Sequence, residues 1–221
     1  MQRKRPTASK KQAKAQKGPK KRARRRPSAP IKRSPLPFFL LLGLCLIMGF
    51  CYYLVQWGPL SYRNRTVSDL PYHELFIPKA REYGLSPYLV AGVIRQESNF
   101  KPKAESHVGA RGLMQVMPDT GEFIARKRGL SLDPEQLYEV ETSIDYGCWY
   151  LAYLMKRFDG VIPTVLAAYN AGPNITEKWL KDPEFSKDGR TLYRIPYKET
   201  DQYVTKVMGY MEDFQARSRE D

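Results

Sequence analysis

Beyond residue 70 the apolar positions recur at helical spacing. Leu75, Phe76 and Ala80 predict a helix over Tyr72–Tyr83. Ser86-Pro87 pairs a capping residue with proline at the first helical position and opens a second helix through Glu97. Asp119 and Glu122 suggest a capping-box start for a third, through about Arg128. Ile144, Cys148, Leu151, Met155 and Phe158 form one helical stripe, and Val161–Asn170 is a short apolar segment broken by Ala171-Gly172-Pro173-Asn174. Tyr203, Val207, Met211 and Phe214 share a face of Glu199–Ala216. No strand-like alternation and no long internal repeat appears. The pattern predicts a mainly α domain of short helices, with Gly/Pro/Asn-containing connections at 100–118 and 171–196.

The N-terminal third has a different pattern. Ser34 to Tyr62 contains no charge, and its apolar core is Leu36–Trp57, 22 residues. As a helix this run spans about 33 Å, enough for a hydrocarbon core of roughly 30 Å. Phe38 and Phe39 mark one end, and Tyr52, Tyr53 and Trp57 the other, in the manner of interfacial aromatic belts. A cleaved signal peptide would have a shorter apolar run and a small-x-small site after it. A lipidated cysteine would follow a small residue, whereas Leu44 and Phe50 precede Cys45 and Cys51. Residues 36–57 are therefore expected to be an uncleaved transmembrane signal anchor, followed by a tether at 58–70 and one domain over 71–221.

Charge supplies the orientation. The net charge of +14 is segregated: residues 1–35 carry 15 Lys/Arg and no acid, while the rest carries 22 basic and 23 acidic groups, a net of −1. This excludes a uniformly basic nucleic-acid-binding domain. The arm is too poor in apolar residues to fold. By the positive-inside rule it stays in the cytoplasm and the domain lies across the membrane; the expected location is a single-pass protein of the cell inner membrane with its domain periplasmic or otherwise extracytoplasmic. Anionic lipid is one partner for the arm; nucleic acid is the other. The three cysteines offer the domain no disulfide framework, and His73 and His107 stand alone, so neither metal nor cofactor is expected.

Glu97 is the most informative residue. On a helical wheel drawn from Tyr88, the side chains of Leu89, Val90, Val93 and Ile94 gather into one apolar stripe. Glu97 falls in the middle of that stripe, with Arg95 and Gln96 outside its centre. An inward carboxyl is costly unless paired or neutral, and desolvation raises its pKa, which suits a general acid near neutral pH. The same position also suits a glutamate that bends out to solvent or pairs with an arginine.

Glu97-Ser98, Gly112-Leu113-Met114-Gln115, Ala168-Tyr169-Asn170 and Glu199-Thr200 followed by Tyr203-Val204 occur in that order. Together they resemble the ES, GLMQ, AYN and ET…YV motifs of the lytic transglycosylase SLT domain, family 1, of lysozyme-like fold. The resemblance spans roughly 72–214. It implies that Glu97 is the single catalytic acid/base and that Ser98 hydrogen-bonds in the cleft. It implies that Gln115, Tyr169 and Asn170 line the site, that Met114 packs against a bound saccharide and that Tyr203 lies near the acid. Gly109 and Gly112 are expected to let backbone approach a sugar strand. Ser143, Gly121 and Asp201 stand where the family often has Asn, Ala and Arg.

Glycoside cleavage usually uses two carboxylates. Asp119, Glu122, Asp133 and Asp145 are available, though each also reads as a cap or surface charge. The resemblance implies a one-acid route on peptidoglycan: Glu97 protonates the bond between N-acetylmuramic acid and N-acetylglucosamine. It then deprotonates the muramoyl 6-hydroxyl, which closes to a 1,6-anhydro sugar. A hydrolytic muramidase of the same fold and a catalytically inert glycan-binding membrane protein are the alternatives.

Overall fold

The computed structural model describes residues 46–50 and 65–218. Most of the expected membrane run, Leu36–Trp57, lies outside the described residues, as does the basic arm; residues 46–50 are helical. No helix among the described residues is long and apolar enough to cross a membrane.

Seven α-helices follow in the domain: α1 His73–Glu82, α2 Pro87–Ser98, α3 Pro118–Arg128, α4 Val140–Arg157, α5 Ile162–Ala171, α6 Pro173–Leu180 and α7 Lys198–Arg217. Short 3-10 turns occupy Val67–Asp69 and Pro134–Tyr138, and the described residues contain only isolated β-bridges, such as Arg111 with Val116. Val67 and Leu70, within the expected tether, are buried in the domain's core.

Helix α2 is the central element. Leu89, Val90, Val93 and Ile94 are almost fully enclosed, and α2 packs most extensively against α7. Gly92 allows that approach: a Cβ there would stand 3.1 Å from the Val207 carbonyl oxygen. Onward from Gly92 along α2 lies Glu97, and one turn back from Val207 along α7 lies Tyr203, its hydrogen-bond partner. The two helices therefore run antiparallel, and this pairing delivers the acid to its phenol.

Several boundaries differ from expectation. Helix α3 starts at Pro118 with Met117 as its cap residue, and Asp119 simply occupies the first turn, so the expected capping box does not form. A proline at the first helical position needs no N–H partner, which lets the helix begin without one. The connection expected at 171–196 contains α6, because Pro173 both ends the preceding segment and starts the next. Thr176, Trp179 and Leu180 give α6 its buried side. Ser86 stands at the cap of α2 but makes no side-chain cap bond. Arg95, expected outside the centre of the apolar stripe, is nevertheless buried, with its guanidinium 5.6 Å from the Tyr210 ring centroid.

Candidate active site

The end of α2 presents Glu97 to the centre of the domain. The chain turns sharply there, with Asn99 and Phe100 both at positive φ. Glu97 is half-buried as a residue. Its carboxyl is desolvated, which raises its pKa from 4.5 to about 7, while a hydrogen bond from Tyr203 pulls the other way. The Tyr203 hydroxyl donates to Glu97 Oε1 at 2.7 Å. Tyr203 and Tyr169 are themselves held well above the ordinary phenol value by burial, and the charge of Glu97 adds to both shifts. A carboxyl with this pKa is present in both protonation states near neutrality, which suits one group acting first as acid and then as base.

The loop 99–117 is fixed to α2 and α4 by its backbone. The Ser98 hydroxyl donates to the Leu113 carbonyl at 2.8 Å, with that of Ile94 also in reach at 3.2 Å. Ser98 is buried, and its hydroxyl ties the acid-bearing helix end to the loop. The Met114 N–H donates to Ser143 Oγ at 3.2 Å, so one of the family departures anchors the loop. Tyr169 donates its hydroxyl to the Met114 carbonyl at 2.8 Å. The Met114 side chain is fully buried, seated where a Cβ on Gly147 would come within 2.4 Å of its sulfur. This corrects the expected saccharide contact: α4 approaches closely through Gly147 and encloses the thioether. Gly112 is likewise structural. At φ 77°, a Cβ there would lie 1.9 Å from the Leu137 carbonyl oxygen and 2.6 Å from Ser143 Oγ. The missing side chain thus makes room for protein, not for a sugar. At Gly109 a Cβ would meet open space.

Gln115 adopts a left-handed backbone and donates its amide to the Ala104 and Gly112 carbonyls, both at 3.0 Å. With Tyr169 and Asn170 it lines a hollow of about 220 Å³, also bordered by Thr120 and Tyr150. Asn170 is exposed and continues into a wider hollow of about 560 Å³ lined by Pro196, Tyr197, Lys198 and Glu199. Thr200 donates to Asn170 Oδ1 at 2.7 Å, so the Asn170 amide nitrogen remains available as a donor toward the cleft. Helix α7 therefore holds both parts of the site, through Thr200 and, one turn on, Tyr203. Thr200 belongs to the Glu199-Thr200 motif, but its role emerges only from this contact. Its i, i+3 relation to Tyr203 is the signal that places both on one face.

The other carboxyls play different parts. Asp133 caps the 3-10 turn by accepting from the Glu135 N–H. Asp145 accepts from Tyr83 at 2.8 Å and pairs with Lys79 and Arg128 beside a separate hollow of about 320 Å³ along α1 and α4. Burial opposes its ionisation, but hydrogen bonds from Arg128, Tyr83 and Lys79 outweigh burial and hold it below its ordinary value. Asp145 is thus satisfied as a permanent anion. Among the described residues no cluster of His, Cys, Asp and Glu could hold a metal ion.

The fold and the site define a helical domain built around one protonatable glutamate, with Tyr169 coupled to its charge and lining a neighbouring hollow. Residues 74–191 match the transglycosylase SLT domain, and the chain belongs to that family. The soluble lytic murein transglycosylase of Salmonella typhimurium is 37% identical over 144 residues, 64% of this chain and 22% of that protein. The membrane-bound lytic murein transglycosylase C of Haemophilus ducreyi is 33% identical over 150 residues, 58% of this chain and 41% of that protein. The chain thus spans only a minor part of the length of these relatives. The solved structure of an inactive glutamate-to-glutamine mutant of the lytic transglycosylase Slt from Pseudomonas aeruginosa superposes with a TM-score of 0.62 at 32% identity, covering 74% of this chain and 26% of that one. A 70-kDa soluble lytic transglycosylase in complex with bulgecin A gives 0.60 at 30% identity, covering 67% and 24%. The mainly helical, lysozyme-like fold is common to all three.

Proposed function

We propose that this protein is a membrane-anchored peptidoglycan lytic transglycosylase with Glu97 as its acid and base. The observation that carries the reading is the Glu97 carboxyl: desolvated, hydrogen-bonded to Tyr203 and poised with a pKa of about 7. Protonated Glu97 donates to the glycosidic oxygen between N-acetylmuramic acid and N-acetylglucosamine. The departing sugar takes the proton, and the substrate's N-acetyl group supports the positive charge at C1, standing in for a second carboxylate. The resulting carboxylate then accepts the proton of the muramoyl 6-hydroxyl as that oxygen bonds to C1. The product is a 1,6-anhydro sugar, and Glu97 ends protonated, ready for another turn. The internal nucleophile gains from proximity, which favours it over water. Gln115, Tyr169 and Asn170 line the cleft and orient the strand.

Residues 36–57 anchor this domain as a single transmembrane helix, with the basic arm in the cytoplasm against anionic lipid and the domain facing the periplasmic wall. The segregation of 15 positive charges ahead of a charge-free apolar run supports that topology. The enzymatic reading is tested with the full chain in detergent on purified sacculi. Glu97→Gln is expected to reduce glycan release by at least about 100-fold with an unchanged circular dichroism spectrum. Wild-type rates in that variant would contradict it.

A further inference from the structure

The sequence allots residues 58–70 to the tether, but the folded domain claims the last part of that stretch. Thr66 and Asp69 close on each other around the 3-10 turn Val67–Asp69: the Asp69 carboxylate accepts from the Thr66 N–H at 3.0 Å and from its hydroxyl at 2.8 Å. Val67 and Leu70 are buried, Leu70 with only 1% of its surface exposed. The Leu70 carbonyl accepts from the His73 N–H at 3.3 Å, and His73 Nδ1 lies 3.0 Å from the same oxygen. The turn packs against α1 and against α2, the helix that carries Glu97. Peeling it away would expose two apolar side chains and undo a capping box, so the turn belongs to the domain.

The part of the tether left free is residues 58–65, between Trp57 and Thr66. Whatever path these residues take, covalent geometry caps their span at about 29 Å, whereas all of 58–70 would allow about 47 Å. A compact domain of roughly 150 residues is about 40 Å across. The Glu97 carboxyl therefore stays within about 70 Å of the end of the apolar run. A short tether also raises the effective concentration of the domain at any glycan held on the same membrane, and that gain falls as the tether lengthens.

We infer that this short leash makes the enzyme selective for membrane-proximal glycan, above all for strands whose end is attached to a lipid in the same bilayer. The inference rests on the proposed membrane anchor and glycan cleavage, and it adds where along a strand the cuts fall. The selectivity comes from the fastening of Thr66–Leu70 to the acid-bearing helix and from the few residues before it. It needs no contact between the domain and the lipid.

The test uses the full chain in vesicles of phosphatidylethanolamine and phosphatidylglycerol, with its domain outward. Long strands of alternating N-acetylglucosamine and N-acetylmuramic acid are attached through a lipid to the same vesicles. The unaltered protein is compared with a variant carrying a Gly/Ser insertion of about 30 residues between Arg63 and Asn64, which adds roughly 30 Å of average reach and leaves the Thr66–Leu70 turn intact. The reaction is stopped while most strands are uncut, so that each lipid-linked stub reports one cut. The insertion is expected to lengthen the mean stub about 1.5-fold, with equal rates for the two proteins on a soluble oligomer of the same sugars. Equal stub lengths overturn the leash while leaving the enzyme reading in place. Release of the unaltered protein from the vesicles overturns the leash together with the anchor. No cleavage of the strands or of the soluble oligomer overturns the leash together with the enzyme reading.

Discussion

The Tyr203 hydroxyl donates to Glu97 Oε1 at 2.7 Å, across 106 residues of sequence and the α2–α7 interface. The bond stabilises the carboxylate against the desolvation that favours the acid, so it sets how far the pKa of Glu97 rises. Tyr203→Phe removes the donor and keeps the ring. In that variant the pKa of Glu97 moves further above about 7. A hydrogen bond to a charged group corresponds to about one pH unit. The alkaline limb of the kcat/KM profile is therefore expected to shift upward by about that amount. A limb that stays in place or moves down would show that Tyr203 does not act on the acid.

The same carboxyl couples stability to pH. Folded Glu97 keeps its proton up to about pH 7, whereas the unfolded chain releases it near its ordinary value of 4.5. Between those values the folded state binds more protons, so stability falls as pH rises, and the contribution is gone once pH exceeds the folded pKa. Glu97→Gln abolishes this term. Urea titrations should show the variant gaining about 2 kcal/mol relative to wild type between acidic and mildly alkaline pH, a figure reduced for partial exposure. A constant difference across that range would mean that the carboxyl is solvated.

Thr200 does not border the acid but holds Asn170 by its side-chain oxygen at 2.7 Å. Thr200→Val keeps the shape and loses the donor. The Asn170 amide is then free to turn, and kcat/KM on long glycan is expected to fall about tenfold with kcat less affected. Thr200→Ser should restore it. Full activity in the valine variant, or equal loss in both variants, would mean that Thr200 merely packs.

The parts of this arrangement legible in the sequence are those governed by local periodicity. The stripe Leu89, Val90, Val93 and Ile94 places α2 but leaves open whether Glu97 turns inward or bends out, and the buried stripe Ile144, Cys148 and Leu151 places α4. Helix α6 is hidden because Gly172-Pro173 serves as both stop and start, and sequence order alone does not say which. The place of Met114 is illegible because its burial depends on Gly147, which lies on a different element, a long-range packing fact with no local signature. Gly112 needs the same knowledge of a neighbouring carbonyl, that of Leu137. The ring contacts of Tyr150, Tyr153 and Phe123 likewise have no local signature, because Phe123 comes from α3 and both tyrosines from α4.

The central claim is that one carboxyl serves both half-reactions and that the sugar's own hydroxyl closes the ring. Mass analysis of the soluble products released from purified sacculi by the full-length protein tests it most directly. Fragments ending in 1,6-anhydro-N-acetylmuramic acid, one water lighter than hydrolysis products and absent with Glu97→Gln, are the predicted result. Reducing-end fragments carrying the added water would contradict the account and make this cleft the site of a hydrolase.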